Sequence, residues 1–115
     1  MSKSVEFRQG AIELLVLRTL SWGAQHGFSI ARWIQDTTDD VLRLEEGSLY
    51  PSLHRMEDKG WVTAHWGTSA NNRRAKFYEL TAAGRAQLLV ETRDWRRYAD
   101  AIGKVLRATV KPKPI

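Results

Sequence analysis

Apolar residues crowd the start of the chain, where Gly10 precedes Ala11, Ile12, Leu14, Leu15, Val16, Leu17 and Leu20. The length and leucine content of this stretch predict a helix buried on most of its sides and ending at Trp22-Gly23. A short second helix follows over Phe28 to Thr37, with Ser29 as its cap and Ile30, Trp33 and Ile34 at helical spacing, until the polar break Thr37-Thr38-Asp39-Asp40. A third spans about Ser48 to Lys59: Leu49, Leu53 and Met56 are four and three residues apart, and Gly60 stands where a helix closes in the left-handed conformation. Pro51 is compatible only with its first turn, whose amides have no intrahelical partner.

Beyond Gly60 the period changes to two. Val62, Ala64 and Trp66 face one way and Thr63 and His65 the other, as in a half-buried strand; Lys76 to Leu80 forms a second. The turn formers from Gly67 to Arg74 between them predict a hairpin with a polar, cationic tip. Of the aromatic residues here, Trp61, Trp66 and Phe77 are expected as core beneath the sheet. Thr81 then caps a long helix reaching about Ala108, roughly 40 Å at 1.5 Å per residue, before the frayed end at Lys111-Pro112-Lys113-Pro114. The fold class expected from this order is mainly α with a small β-hairpin: a winged helix-turn-helix domain over 1–80, a C-terminal dimerisation helix over 81–110 and a flexible tail over 111–115.

With 115 residues there is room for one modest core. The apolar run from Ile12 to Leu20 contains Glu13 and Arg18 and is too short for a membrane span or a signal peptide, so a cytoplasmic protein with no membrane partner is expected. The absence of cysteine removes disulfides, thiolate metal sites and thiol nucleophiles. His26, His54 and His65 fall on three different elements without metal-ligand spacing. No phosphate-cradling glycine loop or nucleophile elbow occurs, and helix capping explains the acidic neighbours Asp39-Asp40 and Glu45-Glu46. No catalytic residue, metal or cofactor is therefore expected.

Charge is unevenly spread. Residues 1–70 carry 7 basic and 9 acidic side chains, whereas residues 71–115 carry 11 and 4. A basic half of this kind suits an acidic partner, with nucleic acid first and an acidic protein as the alternative. On the third helix, Ser48, Tyr50, Pro51, His54 and Arg55 lie around the arc opposite the apolar stripe, and a helix of this size fits a DNA major groove with its N-terminal side chains at base edges. The expected DNA-contacting set is Ser48, Leu49, Tyr50, Pro51, His54 and Arg55, with Leu49 counted both here and in the inner stripe. Arg73, Arg74 and Lys76 of the hairpin complete it, suited to phosphates or a narrow minor groove.

On the long helix, Leu88, Thr92, Trp95, Ala99, Ile102 and Leu106 are spaced 4, 3, 4, 3 and 4, a heptad seam. A single chain would leave Ile102 and Leu106 in water, so these six residues are expected to form a homodimer face. Two-fold symmetry would set two recognition helices ~34 to 36 Å apart and call for a palindromic operator in double-stranded DNA.

Several segments carry a resemblance. Gly27-Phe28-Ser29-Ile30, the run from Glu46 through Gly47-Ser48-Leu49-Tyr50-Pro51-Ser52-Leu53 to Glu57, Lys59-Gly60-Trp61-Val62, and the run from Arg73 through Tyr78-Glu79-Leu80-Thr81-Ala82-Ala83-Gly84 to Arg85 resemble the PadR family of bacterial transcriptional regulators, in its small subclass with a single C-terminal helix. The match covers roughly residues 9–107, and Phe28 departs from it where the family more often has Tyr. The resemblance implies a repressor that dimerises through the C-terminal helix with help from the first. It also implies a second role for Trp95, since multidrug-binding members carry a tryptophan in the matching context, here Trp95-Arg96-Arg97, although Arg96 stands where a small polar residue can occur. Two symmetry-related Trp95 indoles would frame a slot for a small planar aromatic effector, which Arg96 would narrow or charge; the simpler role for Trp95 is to fill the dimer core.

Overall fold

The computed structural model describes residues 10–114. Its elements are α1 (Ala11–Leu20), β1 (Gln25–His26), α2 (Gly27–Thr37), α3 (Glu46–Asp58), β2 (Val62–Thr68), β3 (Arg74–Leu80) and α4 (Ala82–Arg107). The three strands form an antiparallel sheet in the order β1-β3-β2. This is a winged helix-turn-helix with a long C-terminal helix.

One apolar core holds the helices to the base of the sheet. Val16, Leu17 and Leu20 of α1 meet Ile30 and Ile34 of α2, Leu49, Leu53 and Met56 of α3, and Val62, Tyr78 and Leu80 of the sheet. Ser52 is buried among them with its hydroxyl 3.9 Å from the Met56 sulfur. The three helices hold a fixed relation because each contributes one stripe to this core, and that relation aims the outer face of α3 away from the protein.

Two helix ends determine the placement of the site. At the start of α2 the cap is His26, not Ser29: the His26 Nδ1 accepts from the Ser29 amide at 3.3 Å, and the Ser29 hydroxyl donates to the His26 carbonyl at 2.9 Å. The helix therefore starts one residue earlier than its apolar spacing suggests, because the imidazole takes the acceptor role usually held by a short polar side chain. At the end of α3, the Trp61 amide donates to the Met56 carbonyl at 2.9 Å and the Gly60 amide to that of Glu57 at 3.0 Å, with Gly60 at φ 77°. This is a Schellman closure, and it turns the chain into β2.

The hairpin register runs from Val62 opposite Leu80 to Thr68 opposite Arg74, so both strands extend further toward the tip than their apolar alternation reaches. Trp66 stands opposite Lys76, beyond the edge of the core, and is 60% exposed. The expectation of Trp66 as core is thus corrected: its strand face is inward only as far as Ala64, and past that point the wing projects into solvent. Phe77 points to the other face of the sheet, between the rings of His26 at 5.4 Å and His65 at 5.9 Å. The two-residue strand β1, paired with Tyr78 and Phe77, is an addition that no periodicity in two residues could reveal.

Helix α4 is locked to the α3–β2 corner. The Thr81 hydroxyl donates to the Gly60 carbonyl at 2.6 Å and accepts from the Gly84 amide at 3.0 Å, while the Thr81 amide donates to the Trp61 carbonyl at 3.0 Å. Gly84 is buried against that same carbonyl, which occupies the space a Cβ would need.

Candidate nucleic-acid interface

Helix α3 presents Ser48, Tyr50, Pro51, His54 and Arg55 on its outer face, all exposed. Leu49 is 1% exposed and belongs to the core, so its place among the DNA-contacting residues is corrected. The cause is geometric: Leu49 leads the stripe it shares with Leu53 and Met56, and one side chain cannot face both the core and a groove.

Between α3 and the wing lies an open groove of about 1110 Å³. Tyr50 and His54 line it from α3, Arg73, Arg74 and Lys76 from the wing, and Phe28, Arg32 and Trp33 from α2. Of the sequence-derived set, the structure thus gathers Tyr50, His54, Arg73, Arg74 and Lys76 around one concavity. Ser48 and Pro51, also exposed on α3, are not among the residues that line it. Arg55 is turned the other way, with its Nε 3.7 Å from the Glu13 carboxylate of α1, which also holds the Lys59 ammonium at 3.9 Å. These are partly exposed pairs worth ~0 to 1 kcal/mol each, enough to bias Arg55 without immobilising it.

The wing cations are organised by aromatic rings. The Arg74 guanidinium sits 4.8 Å from the Trp66 ring centre, and the Lys76 ammonium 5.8 Å from that of Tyr78. Stacking leaves the edges of a guanidinium free to donate hydrogen bonds while restricting where it can point. Burial, followed by the nearby charge of Glu57 and by Tyr50, holds the Tyr78 phenol above its ordinary range, so it remains neutral beneath Lys76. Arg32 contributes less positive potential than Arg74, because it is paired with Asp36 at 3.2 Å. Trp66, Phe28 and Trp33 were not anticipated in this groove; for the first of them, the alternation from Val62 through Ala64 gave the strand face but not the end of the core.

The groove sets the wing cations Arg73, Arg74 and Lys76 opposite the polar side chains Tyr50 and His54 of α3. The cations can neutralise phosphates, and Tyr50 and His54 offer hydrogen-bonding and apolar groups to base edges.

The second exposed surface lies on α4. Leu88 is partly buried against the core of its own chain. Further along, Trp95, Ile102 and Leu106 are open to solvent, together with Tyr98 and Val105, which stand seven residues apart beside them. Thr92 is half-buried and Ala99 exposed. A cleft of about 460 Å³ separates the start of α1 from α4, lined by Gly10, Ala11 and Leu14 on one side and Glu91, Asp94, Trp95 and Tyr98 on the other. The Trp95 and Tyr98 rings lie 5.9 Å apart. Arg96 does not line this cleft, because the next residue along a helix is rotated by about 100°. Burial raises the Glu91 carboxyl above its ordinary range, opposed by a hydrogen bond donated from Gln87 at 3.0 Å. Among the described residues there is no cluster of His, Asp or Glu suited to a metal ion, and no helix long and apolar enough to cross a membrane.

Comparison with known proteins agrees with this geometry. A family profile described as the transcriptional regulator PadR-like family matches residues 16–89. The transcriptional regulator Rv3488 of Mycobacterium tuberculosis is 32% identical over 89 residues, covering 76% of this chain and 78% of that protein. Among solved structures, a PadR family transcription regulator from Clostridium difficile superposes with a TM-score of 0.72 at 27% identity, over 84% of this chain and 99% of its own. The smu.1704 protein of Streptococcus mutans superposes with a TM-score of 0.78 at 25% identity, over 95% of this chain and 100% of its own. From its profile match, its relatives and its winged helix with a long C-terminal helix, this chain belongs to the PadR-like family of transcriptional regulators.

Proposed function

We propose that the protein is a homodimeric, sequence-specific DNA-binding repressor. The observation that carries this reading is the groove between α3 and the wing, where Tyr50 and His54 face Arg73, Arg74 and Lys76 across a space open to a duplex backbone. In this reading α3 enters the major groove, the wing cations hold the flanking phosphates, and Tyr50 and His54 discriminate between bases. The apolar stripes of α4 pair with those of a second copy, assisted by the start of α1. The resulting two-fold axis requires a palindromic operator. Repression follows if the occupied operator overlaps a promoter, since a bound dimer obstructs the polymerase.

The cleft beside Trp95 supplies the regulatory half of the reading. A planar aromatic molecule stacked on Trp95 and Tyr98 would sit beside both α1 and α4, and any preference for one separation of these helices would shift the distance between the two recognition helices. The test of DNA binding is its salt dependence: log affinity should fall linearly with log salt, by about 0.9 per phosphate neutralised. A preferred palindrome must keep its advantage over random duplex throughout. Equal affinity for all duplexes would reduce the site to an unspecific basic surface.

A further inference from the structure

Gly27 opens α2 at a position where glycine is not required by the backbone. It is helical and buried, and lacks the positive φ of Gly10, Gly23 and Gly60. Alanine would favour this helix by up to about 1 kcal/mol. What the site does require is space. A Cβ on Gly27 would stand 2.6 Å from the Tyr50 hydroxyl and 2.9 Å from both Cε1 and Cζ of its ring. Outside its own helix backbone and chain neighbours, the three atoms nearest to such a methyl group all belong to the Tyr50 ring and hydroxyl.

Tyr50 occupies a shared wall. On one side is the groove with His54 and the wing cations, and on the other a cleft of about 360 Å³ between α2 and α3, lined by Phe28, Ala31, Leu44 and Leu49. A tyrosine on the outer face of a helix ordinarily samples more than one staggered rotamer. Here the ring lies over the hydrogen of Gly27, in a seat at the first turn of α2.

We infer that Gly27 is a positioning residue for DNA recognition: the missing side chain at the start of α2 is the seat that fixes the direction in which the Tyr50 hydroxyl is presented to the bases. Because α2 is locked to α3 through the core and to β3 through the His26 cap and strand β1, the seat moves as one body with the recognition helix. This inference rests on the proposed reading of DNA by α3, and its test separates the two.

The full-length protein is compared with Gly27→Ala, Tyr50→Ala and the double variant. Binding is measured to the duplex selected by the wild-type protein and to random duplex, and the ring of Tyr50 is located in a crystal structure of Gly27→Ala. The expected result is that Gly27→Ala folds and melts at the wild-type temperature or above, binds random duplex as the wild type does, and loses on the order of tenfold in discrimination. With Tyr50 already removed, Gly27→Ala should cause no further loss. A Gly27→Ala structure with the ring unmoved overturns the inference, as does a loss of discrimination that is as large without Tyr50 as with it. If instead Tyr50→Ala discriminates as well as the wild type, the reading of bases by Tyr50 fails, and the inferred role of Gly27 in recognition falls with it even if the ring has moved.

Discussion

Leu106→Ala isolates the contribution of the α4 face, because Leu106 is 80% exposed in the protomer and has little to lose there. Truncation to alanine removes three carbon groups at about 0.8 kcal/mol each when fully buried. With four-fifths of the side chain available for covering, the loss is at most about 2 kcal/mol per protomer and about 4 kcal/mol per dimer. At 1.4 kcal/mol per tenfold, that is up to about a thousandfold in the dimer dissociation constant. Ile102→Glu should be more severe, since two carboxylates would face one another across the two-fold seam. Sedimentation equilibrium over a concentration series measures both effects. Thermal melting of the dilute protomer supplies the control: Leu106→Ala should leave it within about 0.5 kcal/mol of wild type, as for surface substitutions in general. Dimers that dissociate as the wild type does in both variants would refute the assignment of this face. A parallel loss of protomer stability would show that Leu106 is held by its own chain.

Other consequences are equally open to measurement. Arg74→Ala or Lys76→Ala should weaken binding to all duplexes and reduce the salt slope by about one unit, whereas His54→Ala should lower discrimination by ~1 to 3 kcal/mol; fluorescence anisotropy on matched and random duplexes distinguishes them. Gly84→Ala forces a methyl group into the Trp61 carbonyl and should cost at least about 1 to 3 kcal/mol by urea denaturation. Glu91 has a raised pKa in the folded chain, so its contribution to stability is greatest below the ordinary carboxylate range and is lost as pH rises through the folded value. Glu91→Gln should therefore raise the urea midpoint at neutral pH and converge with wild type in acid. Planar cationic and phenolic aromatics should quench tryptophan fluorescence in the wild type and much less in Trp95→Leu; quenching that is unchanged by the substitution would leave Trp95 as packing alone.

The winged helix was legible because each large element carries a clean period and an unambiguous end: the Leu49, Leu53, Met56 stripe with Gly60 beyond it, the alternation from Val62, and Thr81 before α4. The wing cations were legible for the same reason, since alternation fixes Arg74 and Lys76 on one face. What escaped was set by tertiary surroundings. Period-two spacing gave Trp66 its face but not the point where the core ends, and His26 became a cap because pairing of β1 with β3 holds its imidazole at the start of α2. Arg55 was placed on the correct arc of α3, yet only the position of Glu13 on another helix shows which way its guanidinium turns. Tyr98 and Val105 were passed over since a single heptad seam satisfies the pattern, while an α-helix of 3.6 residues per turn brings the neighbouring stripe onto the same broad face. The close fit of Gly27 to Tyr50 joins residues 23 positions apart in the chain, beyond the reach of any local pattern.

The central claim, that α3 reads bases in a two-fold assembly, is tested most directly by selecting bound duplexes from a random pool with the purified full-length protein. The expected product is a palindrome whose half-sites are centred one helical turn, ~34 to 36 Å, apart, and which is no longer enriched when the selection is repeated with a Tyr50→Ala, His54→Ala protein. Recovery of duplexes with no common sequence, or of one asymmetric site enriched equally by that variant, would contradict it.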